Sequence, residues 1–300
     1  MGRSINFVNT GTIMTDNPAA RRSAPLPGLY VMATPIGNLD DFSPRAMRVL
    51  AAATIVAAED TRVSRKLVTL ASSAARMVSL TEHNVGARTE ALLAGARESV
   101  VALVSDAGTP GISDPGARLV AAAHSAGVLV VAVPGPSALA AAVSVAGFEG
   151  APVVFLGFLP RPKSERRTAL QAAAETGATI VFFESPNRLA ATLTEIAETF
   201  GDPEVVVCRE LTKLHEEVVR GPAAELASRF AVTKGEVTVV FRVQPRAPGD
   251  ATAEVEAYLA EMRRAGARRS GAAAEAAKRF SVTRERAYAL WPGEDVEALP

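Results

Sequence analysis

The chain has 300 residues, of which 48% are hydrophobic, so it can bury a large core and is long enough for two domains and a smaller appendage. Its 32 acidic and 32 basic residues cancel, which excludes a global field that would draw the chain to nucleic acid or to an anionic membrane. Any polyanion would therefore have to meet a local patch of charge.

The cysteine and histidine content limits the redox and metal chemistry. Cys208 is the single cysteine, so the sequence excludes an intramolecular disulfide and any metal site built from several cysteines. The three histidines, His83, His124 and His215, lack the spacing of metal ligands. We expect a cytoplasmic protein without a metal site.

Two segments must be distinguished from targeting and membrane sequences. The first 26 residues are polar and irregular, without the apolar run of a signal peptide, so we expect a disordered leader, with Met14 as an alternative start. Residues 119–148 contain no Asp, Glu, Lys or Arg, but Gly127 and the PGP sequence at 134–136 divide them into helix, strand, turn and helix. We therefore expect no membrane span.

Five short apolar runs, separated by helical patterns, fill the first half of the chain. The spacing between the runs is long enough for parallel crossovers, and Ser43-Pro44 begins a helix that runs to about Ala53. The pattern predicts a five-stranded, doubly wound parallel sheet in an α/β domain over residues 27–150. The expected strands are 29–33, 54–58, 77–80, 100–104 and 128–133.

The stretch at 103–116, LVSDAGTPGISDPG, has the composition of a ligand-binding loop. Asp106 follows the fourth strand, glycine and proline residues then prevent regular structure, and Asp114-Pro115 is predicted to cap the next helix. In open α/β sheets ligands bind at the carboxyl ends of the strands, so we expect Asp106 to contact one. The alternative is that Asp106 merely caps the turn.

Other loops also follow strands and should open on the same edge of this sheet. They are residues 34–41 and 59–65, together with PGPS at 134–137. The sequence thus predicts one ligand-binding edge built from several loops.

A second α/β domain is predicted over residues 151–245. It contains five further strand-like runs with fewer intervening helices, which favours a mixed sheet. If a ligand lies between the domains, the polar loops at 184–188, 209–213 and 234–236 would face the first domain. The runs are VVFLGFLP, TIVFFES, VVVCREL, EEVVRG and VTVVFRV.

The last part of the chain reads as a small helical module over 251–300. Residues 244–250 contain two prolines and are expected to be a linker, and three helical patterns follow at 255–264, 271–280 and 283–290. Their basic residues suggest a nucleic-acid contact, although charged helix faces are also commonly just solvated. These residues are Arg263, Arg264, Arg268, Arg269, Lys278, Arg279, Arg284 and Arg286.

Nine short motifs occur in order between residues 29 and 243. Together they resemble the ribosomal RNA small subunit methyltransferase I family, part of the tetrapyrrole methylase superfamily, whose two α/β domains hold S-adenosylmethionine in the cleft between them. The motifs are TPIGNL (34–39), AEDTR (58–62), HN (83–84), LVSDAGTPGISDPG (103–116), PGPS (134–137), GFLP (157–160), FFESPNR (182–188), RELTK (209–213) and KGE (234–236).

The resemblance implies an enzyme that methylates the ribose 2′-hydroxyl of a cytidine in the decoding region of 16S rRNA, in the small ribosomal subunit. It also implies S-adenosylmethionine as donor, no metal, and a homodimer. One alternative is a porphyrin or corrin methylase, but those enzymes carry G-x-G-P-G after the first strand where this chain has TPIGNL. A non-catalytic ribosome-associated nucleotide-binding protein is a further alternative. A Rossmann dehydrogenase is disfavoured because no G-x-G-x-x-G follows that strand.

The resemblance also implies which residues bind the cofactor. Those of the first domain lie in the loops after its strands, and those of the second are apolar residues for which ordinary core packing is the alternative. The implied residues are Asp106, Gly108, Ile112 and Pro134, then Phe183, Leu211 and Val237.

The candidate catalytic residues are charged side chains of the polar loops, and His83 and Asn84 are candidates to flank the target nucleotide. We expect Asp60 and Arg62 to matter most, because a carboxylate beside Arg62 has a lowered pKa and orients a hydroxyl better than it accepts a proton. A simple pair with Arg188 is the alternative for Glu184. The candidate proton acceptors are Glu59, Asp60, Glu184, Glu210 and a Lys213 of lowered pKa.

Overall fold

The computed structural model describes residues 24–113, 116–149, 152–243, 252–280 and 282–292. Several sequence predictions lie outside these residues: most of the leader, the alternative start at Met14, the Asp114-Pro115 cap and the linker at 244–250. They stay predictions.

The described residues form two compact units. The first contains those of 1–149 together with 155–160 and 181–241, and the second contains those of 150–154, 161–180 and 242–300. The parallel sheet lies in the first unit and the C-terminal helices lie in the second. The domain boundaries expected after residues 150 and 245 stay predictions.

The five predicted strands of the first sheet are present and parallel, in the order β3-β2-β4-β1-β5. All five residues of β4 are buried, because helices cover both faces of this central strand and its β-branched run has no polar side chain. The strand bounds are Gly28–Met32 (β1), Ile55–Ala58 (β2), Arg76–Ser79 (β3), Val100–Val104 (β4) and Val130–Val133 (β5).

The first helix of this half begins where its capping residues predict, whereas the helix expected from Asp114-Pro115 begins at Ala117 with Gly116 as its N-cap. Ser43 caps the first, its Oγ accepting a hydrogen bond from the backbone N–H of Ala46 at 3.1 Å, and Pro44 is its first residue. A short 3₁₀ helix, Leu39–Asp41, precedes it. The helices are Pro44–Ala52 (α1), Thr61–Leu70 (α2), Val85–Glu98 (α3), Ala117–Ser125 (α4) and Ala138–Ala146 (α5).

The second sheet contains all five predicted strand runs in the order β6-β7-β10-β8-β9 and is mixed, with β8 antiparallel to both β9 and β10. Phe182 and Phe241 are fully buried and meet edge to face in its core. The strands are Val153–Phe158 (β6), Thr179–Glu184 (β7), Glu204–Arg209 (β8), Glu217–Pro222 (β9) and Val237–Arg242 (β10). The helices are Lys163–Glu175 (α6), Pro186–Phe200 (α7) and Ala223–Arg229 (α8).

Three C-terminal helices confirm the predicted helical module and have their own small core. The helices are Thr252–Arg264 (α9), Arg269–Phe280 (α10) and Arg284–Ala289 (α11). Val255 and Leu259 pack with the small residues Ala273 and Ala276, which lets the helices approach closely.

The uncharged stretch at 119–148 is divided among α4, β5 and α5, as predicted. Throughout the described part of the chain, no helix combines the length and apolar character needed to cross a membrane.

Candidate functional site

A cavity of about 420 Å³ opens at the carboxyl end of β4 and is lined by loops of both sheets, all within the first compact unit. Its volume lies within the range of ~300 to 1,000 Å³ typical of small-molecule sites. Residues from the first half of the chain include Ile36, Glu59, Asp106, Gly108, Thr109, Ile112, Ser113 and Ser137. Those from the second half include Phe158, Phe183, Glu184, Leu211, Glu236 and Val237.

The loop after β4 is fixed to the loop after β1 by paired hydrogen bonds. The backbone N–H of Gly108 donates to the carbonyl of Thr34 at 3.0 Å, and the N–H of Thr34 donates to the carbonyl of Gly108 at 2.8 Å. The Thr34 hydroxyl also donates to the carbonyl of Ser105 at 3.1 Å. Asp106 therefore projects from a loop that is held at both ends.

A second loop, after β2, is joined to Asp106. The backbone N–H of Asp60 donates to Oδ1 of Asp106 at 2.9 Å. The Asp60 carboxylate itself caps α2 and pairs with Arg62, whose Nη2 lies 2.6 Å from Oδ2. These contacts bring the AEDTR motif and the loop after β4 together, as expected for neighbouring strands of one sheet.

The adjacent carboxylates Glu59 and Asp60 have opposite pKa shifts. Hydrogen bonds from the Arg62 side chain and backbone lower the pKa of Asp60 to about 2, so this group stays ionised and is a weak base. Burial raises the pKa of Glu59 above 4.5, and the charges of Asp106, Glu82 and Asp60 raise it further. Glu59 is thus the better proton acceptor of the two.

Glu184 lies on the opposite wall, but its carboxylate is occupied by donors of the protein. Oε1 accepts from the backbone N–H of Ser185 and pairs with Nη2 of Arg188, both at 2.6 Å. Oε2 accepts from the hydroxyl of Thr192 at 2.8 Å. The Glu184 side chain is fully buried and pairs with Arg188 across the start of α7. The structure therefore contains the simple ion pair that was the alternative to a catalytic role.

The 209–213 loop is held by a carboxylate–lysine cluster. Glu210 accepts hydrogen bonds from the backbone N–H of Glu236 at 2.8 Å and from Nζ of Lys213 at 2.9 Å, which lower its pKa in that order. Gly235 has a φ of +92°, and a Cβ there would lie 2.5 Å from Cδ of Glu210, so this position needs glycine.

The lowered pKa considered for Lys213 is wrong. Burial alone would lower it, but the hydrogen bonds to Glu210 and Glu236 outweigh burial and raise the pKa of this amine. A lysine that holds its proton more firmly is a poor general base.

Six of the seven expected cofactor residues line the cavity: Asp106, Gly108, Ile112, Phe183, Leu211 and Val237. Pro134 is exposed and is not among the described residues that line it.

Of the expected catalytic residues, Glu59 and Glu184 line the cavity. Asp60, Arg62 and Lys213 are not among its described lining residues. Asp60 follows Glu59 and contacts Asp106, Arg62 is connected to the cavity through Asp60, and Lys213 pairs with the lining residue Glu236. Asn84 instead accepts a hydrogen bond from the N–H of Thr81 and donates to the carbonyl of Ser79, which fixes the turn before α3.

Sequence reasoning did not single out several lining residues within the motifs it identified, among them Ser137 and Phe158. Ser137 caps α5 at the end of PGPS, and its position before an apolar helix was a readable signal. Phe158 of the GFLP motif lines the cavity while 61% exposed, which an apolar strand pattern does not indicate.

Comparisons with known proteins show the family to which this chain is related. The family described as Tetrapyrrole (Corrin/Porphyrin) Methylases matches residues 28–227. A protein named ribosomal RNA small subunit methyltransferase I from Thermotoga maritima is 46% identical, over 71% of this chain and 97% of that protein. Its namesake from Mycobacterium tuberculosis is 45% identical, over 86% of this chain and 92% of the relative.

Solved structures show the same fold at low sequence identity. The uroporphyrin-III C-methyltransferase of Thermus thermophilus aligns with a TM-score of 0.51 and 22% identity, over 73% of this chain and 96% of that one. A cobalt precorrin-4 methyltransferase aligns with a TM-score of 0.54 and 21% identity, over 72% and 96%. The chain belongs to the ribosomal RNA small subunit methyltransferase I family of the tetrapyrrole methylases.

Proposed function

We propose that this protein methylates ribosomal RNA of the small subunit, using S-adenosylmethionine to modify the ribose 2′-hydroxyl of a cytidine in the decoding region of 16S rRNA. Relatives named for small-subunit rRNA methylation support the substrate class. The observation that carries the reaction type is the cavity, in which the carboxylates Glu59 and Asp106 stand among apolar side chains.

The residues present fit S-adenosylmethionine. The cavity wall combines carboxylates, which suit a donor carrying an ammonium and a sulfonium, with apolar residues that suit a heterocyclic ring. Asp106 and Gly108 would hold the donor from the first sheet, and Phe183, Leu211 and Val237 from the second. When bound, the donor supplies an activated methyl group and needs no metal ion.

The chain must then position the ribose hydroxyl and remove its proton. Glu59 is the group that we assign to accept this proton, because it lines the cavity and its pKa is raised by burial and by neighbouring carboxylates. Asp60 and Arg62 act as positioning residues, since their ion pair fixes the loop that carries Glu59.

We also propose that the protein acts as a homodimer and that the basic C-terminal helices add affinity for the ribosomal subunit. Light scattering at low concentration tests the first statement: twice 31.2 kDa is expected, and 31.2 kDa itself would contradict it.

The experiment for the function is methyl transfer from tritiated S-adenosylmethionine to purified small subunits that lack the modification, with a porphyrinogen as the competing substrate class. We expect label in 16S rRNA and none in the porphyrinogen. Label in the small molecule alone would assign a tetrapyrrole methylase, and cofactor binding without transfer to either substrate would indicate a binding protein.

A further inference from the structure

An exposed aromatic ring stands at the cavity where no core packing requires it. Phe158 is the last residue of β6, is 61% exposed and lines the cavity. Single exposed apolar residues are common on protein surfaces and need no explanation of their own. Phe158 differs from such residues because its ring packs against Phe183 and the backbone that follows it is hydrogen-bonded to Arg188.

One aromatic residue contacts the ring directly, and a second packs behind it. Phe158 meets Phe183 edge to face with 5.5 Å between the ring centroids, and Phe183 meets Phe155 in the same manner at 4.9 Å. Phe183 is itself a lining residue of the cavity. Aromatic pairs favour edge-to-face contacts of this kind, and Phe158 remains 61% exposed.

The backbone after Phe158 is also fixed. The Arg188 guanidinium donates to the carbonyl of Leu159 at 3.2 Å and to that of Pro160 at 3.5 Å. Arg188 is in turn paired with the buried carboxylate of Glu184. The segment that carries the exposed ring is therefore attached to the start of α7.

A glycine brings this segment against the loop after β4. Gly157 has a φ of +62°, and a Cβ there would lie 3.0 Å from Oγ of Ser113, tighter than ordinary contact. Phe158 consequently follows the point at which β6 approaches the loop that also carries Asp106. The ring and the Asp106 loop border the same cavity.

We propose that Phe158 is a stacking platform for the base of the nucleotide that is methylated. This inference rests on the proposed function, because it requires that the substrate is RNA. Single-stranded bases are recognised by stacking on aromatic side chains, and every base offers such a face. An exposed ring that lines the cavity and packs against Phe183 offers such a stacking surface.

The test compares Phe158→Ala, Phe158→Leu and Phe158→Trp in the full-length protein. Methyl transfer to small subunits gives KM for the subunit, and calorimetry gives Kd for S-adenosylmethionine. Loss of one stacked base is worth ~1 to 3 kcal/mol, so the alanine variant should raise KM at least ~5-fold with Kd for the donor changed less than ~2-fold. Leucine should resemble alanine, since it is apolar but has no π-face, and tryptophan should retain the wild-type KM.

Salt dependence separates stacking from phosphate contact. Stacking releases no counterions, so the slope of log KM against log salt should be the same in wild type and in Phe158→Ala. Val232→Ala, which changes another exposed apolar residue at 90% exposure, is the matched control and should alter neither constant.

Three results would overturn the proposal. An unchanged KM in Phe158→Ala, or a leucine variant that matches wild type, would remove the stacking role. A weakened Kd for the donor would assign Phe158 to the cofactor instead. Absence of transfer by the wild-type protein would count against the proposed function itself, which distinguishes the two failures.

Discussion

At the scale of single residues, the site separates two adjacent carboxylates by their surroundings. Hydrogen bonds from Arg62 lower the pKa of Asp60 to about 2 and keep it ionised, whereas burial, and then the neighbouring negative groups, raise the pKa of Glu59. Pairs of titratable groups with divergent pKa values are typical of acid–base sites. The division of roles between Glu59 and Asp60 follows from this difference.

Replacement of Glu59 by Gln should remove the acid side of the pH profile for methyl transfer. A carboxyl group accepts a proton only when ionised, so the wild-type single-turnover rate should fall as the pH falls through the Glu59 pKa, which lies above 4.5. Glu59→Gln should lower the plateau at least ~10²-fold and abolish this dependence. Glu82→Gln removes a charge that raises the Glu59 pKa. This variant should keep the plateau rate, and the fall of the rate on the acid side should occur at lower pH. A Glu59→Gln enzyme with the wild-type profile would contradict the assignment.

Asp60→Asn and Arg62→Ala should each slow single-turnover transfer about 10-fold at saturating donor and subunit. The reason is lost positioning of the loop that carries Glu59, so the acid limb of the pH profile should remain in both variants. Exposed Glu90→Gln on α3 serves as the control. Wild-type rates in both variants, together with an inactive Glu184→Gln or Lys213→Ala, would move the catalytic assignment to the second sheet.

At the scale of elements, Arg188 attaches the end of β6 to α7. Arg188→Ala leaves the buried Glu184 carboxylate without its ion-pair partner, a loss that costs about 3 kcal/mol of the free energy of unfolding. Urea denaturation measures this change. The control is Arg88→Ala, at an exposed position of α3, whose free energy of unfolding should lie within ~0.5 kcal/mol of wild type. A cost below about 1 kcal/mol for Arg188→Ala would show that water replaces the arginine.

The strands and helices were largely predictable because their signals are local. Val100–Val104 reads as a buried strand from its own residues, and Ser43-Pro44 specifies a helix start by itself. The ends of most strands differ from the prediction by one or two residues, as expected where pairing rather than composition decides the last residue.

The interior of the site was less predictable because its geometry depends on distant partners. Glu210 and Thr212 have φ values of +52° and +67°, which are uncommon for residues with side chains and which the composition of the loop does not indicate. The raised pKa of Lys213 needs Glu236, more than twenty residues away in sequence. The sequence motifs identified the loops that line the cavity. They did not indicate which side chains of these loops pair with one another.

At the scale of the whole molecule, the basic residues of the C-terminal helices divide into two groups. Arg269 covers the ring of Tyr288 and donates to its carbonyl, and Arg279 lies over the ring of Tyr258, so both stabilise the module itself. Arg268 and Lys278 are exposed and remain the better candidates for RNA phosphates.

The combined variant Arg268→Gln, Lys278→Gln and Arg284→Gln should weaken binding to small subunits in a salt-dependent way. Each lost phosphate contact reduces the slope of log affinity against log salt by about 0.7 to 0.9, and donor affinity should not change. Filter binding at several salt concentrations measures the slope. An identical slope in wild type and variant would show that these helix faces are merely solvated.

Mass spectrometry of nucleosides from small-subunit RNA methylated in vitro, after nuclease mapping of the labelled fragment, identifies the methylated atom and nucleotide. We expect 2′-O-methylcytidine from a decoding-region fragment, formed by the wild-type protein and at least ~10²-fold more slowly by Glu59→Gln. A methyl group on a base, on another nucleotide or outside that region would contradict the proposed function.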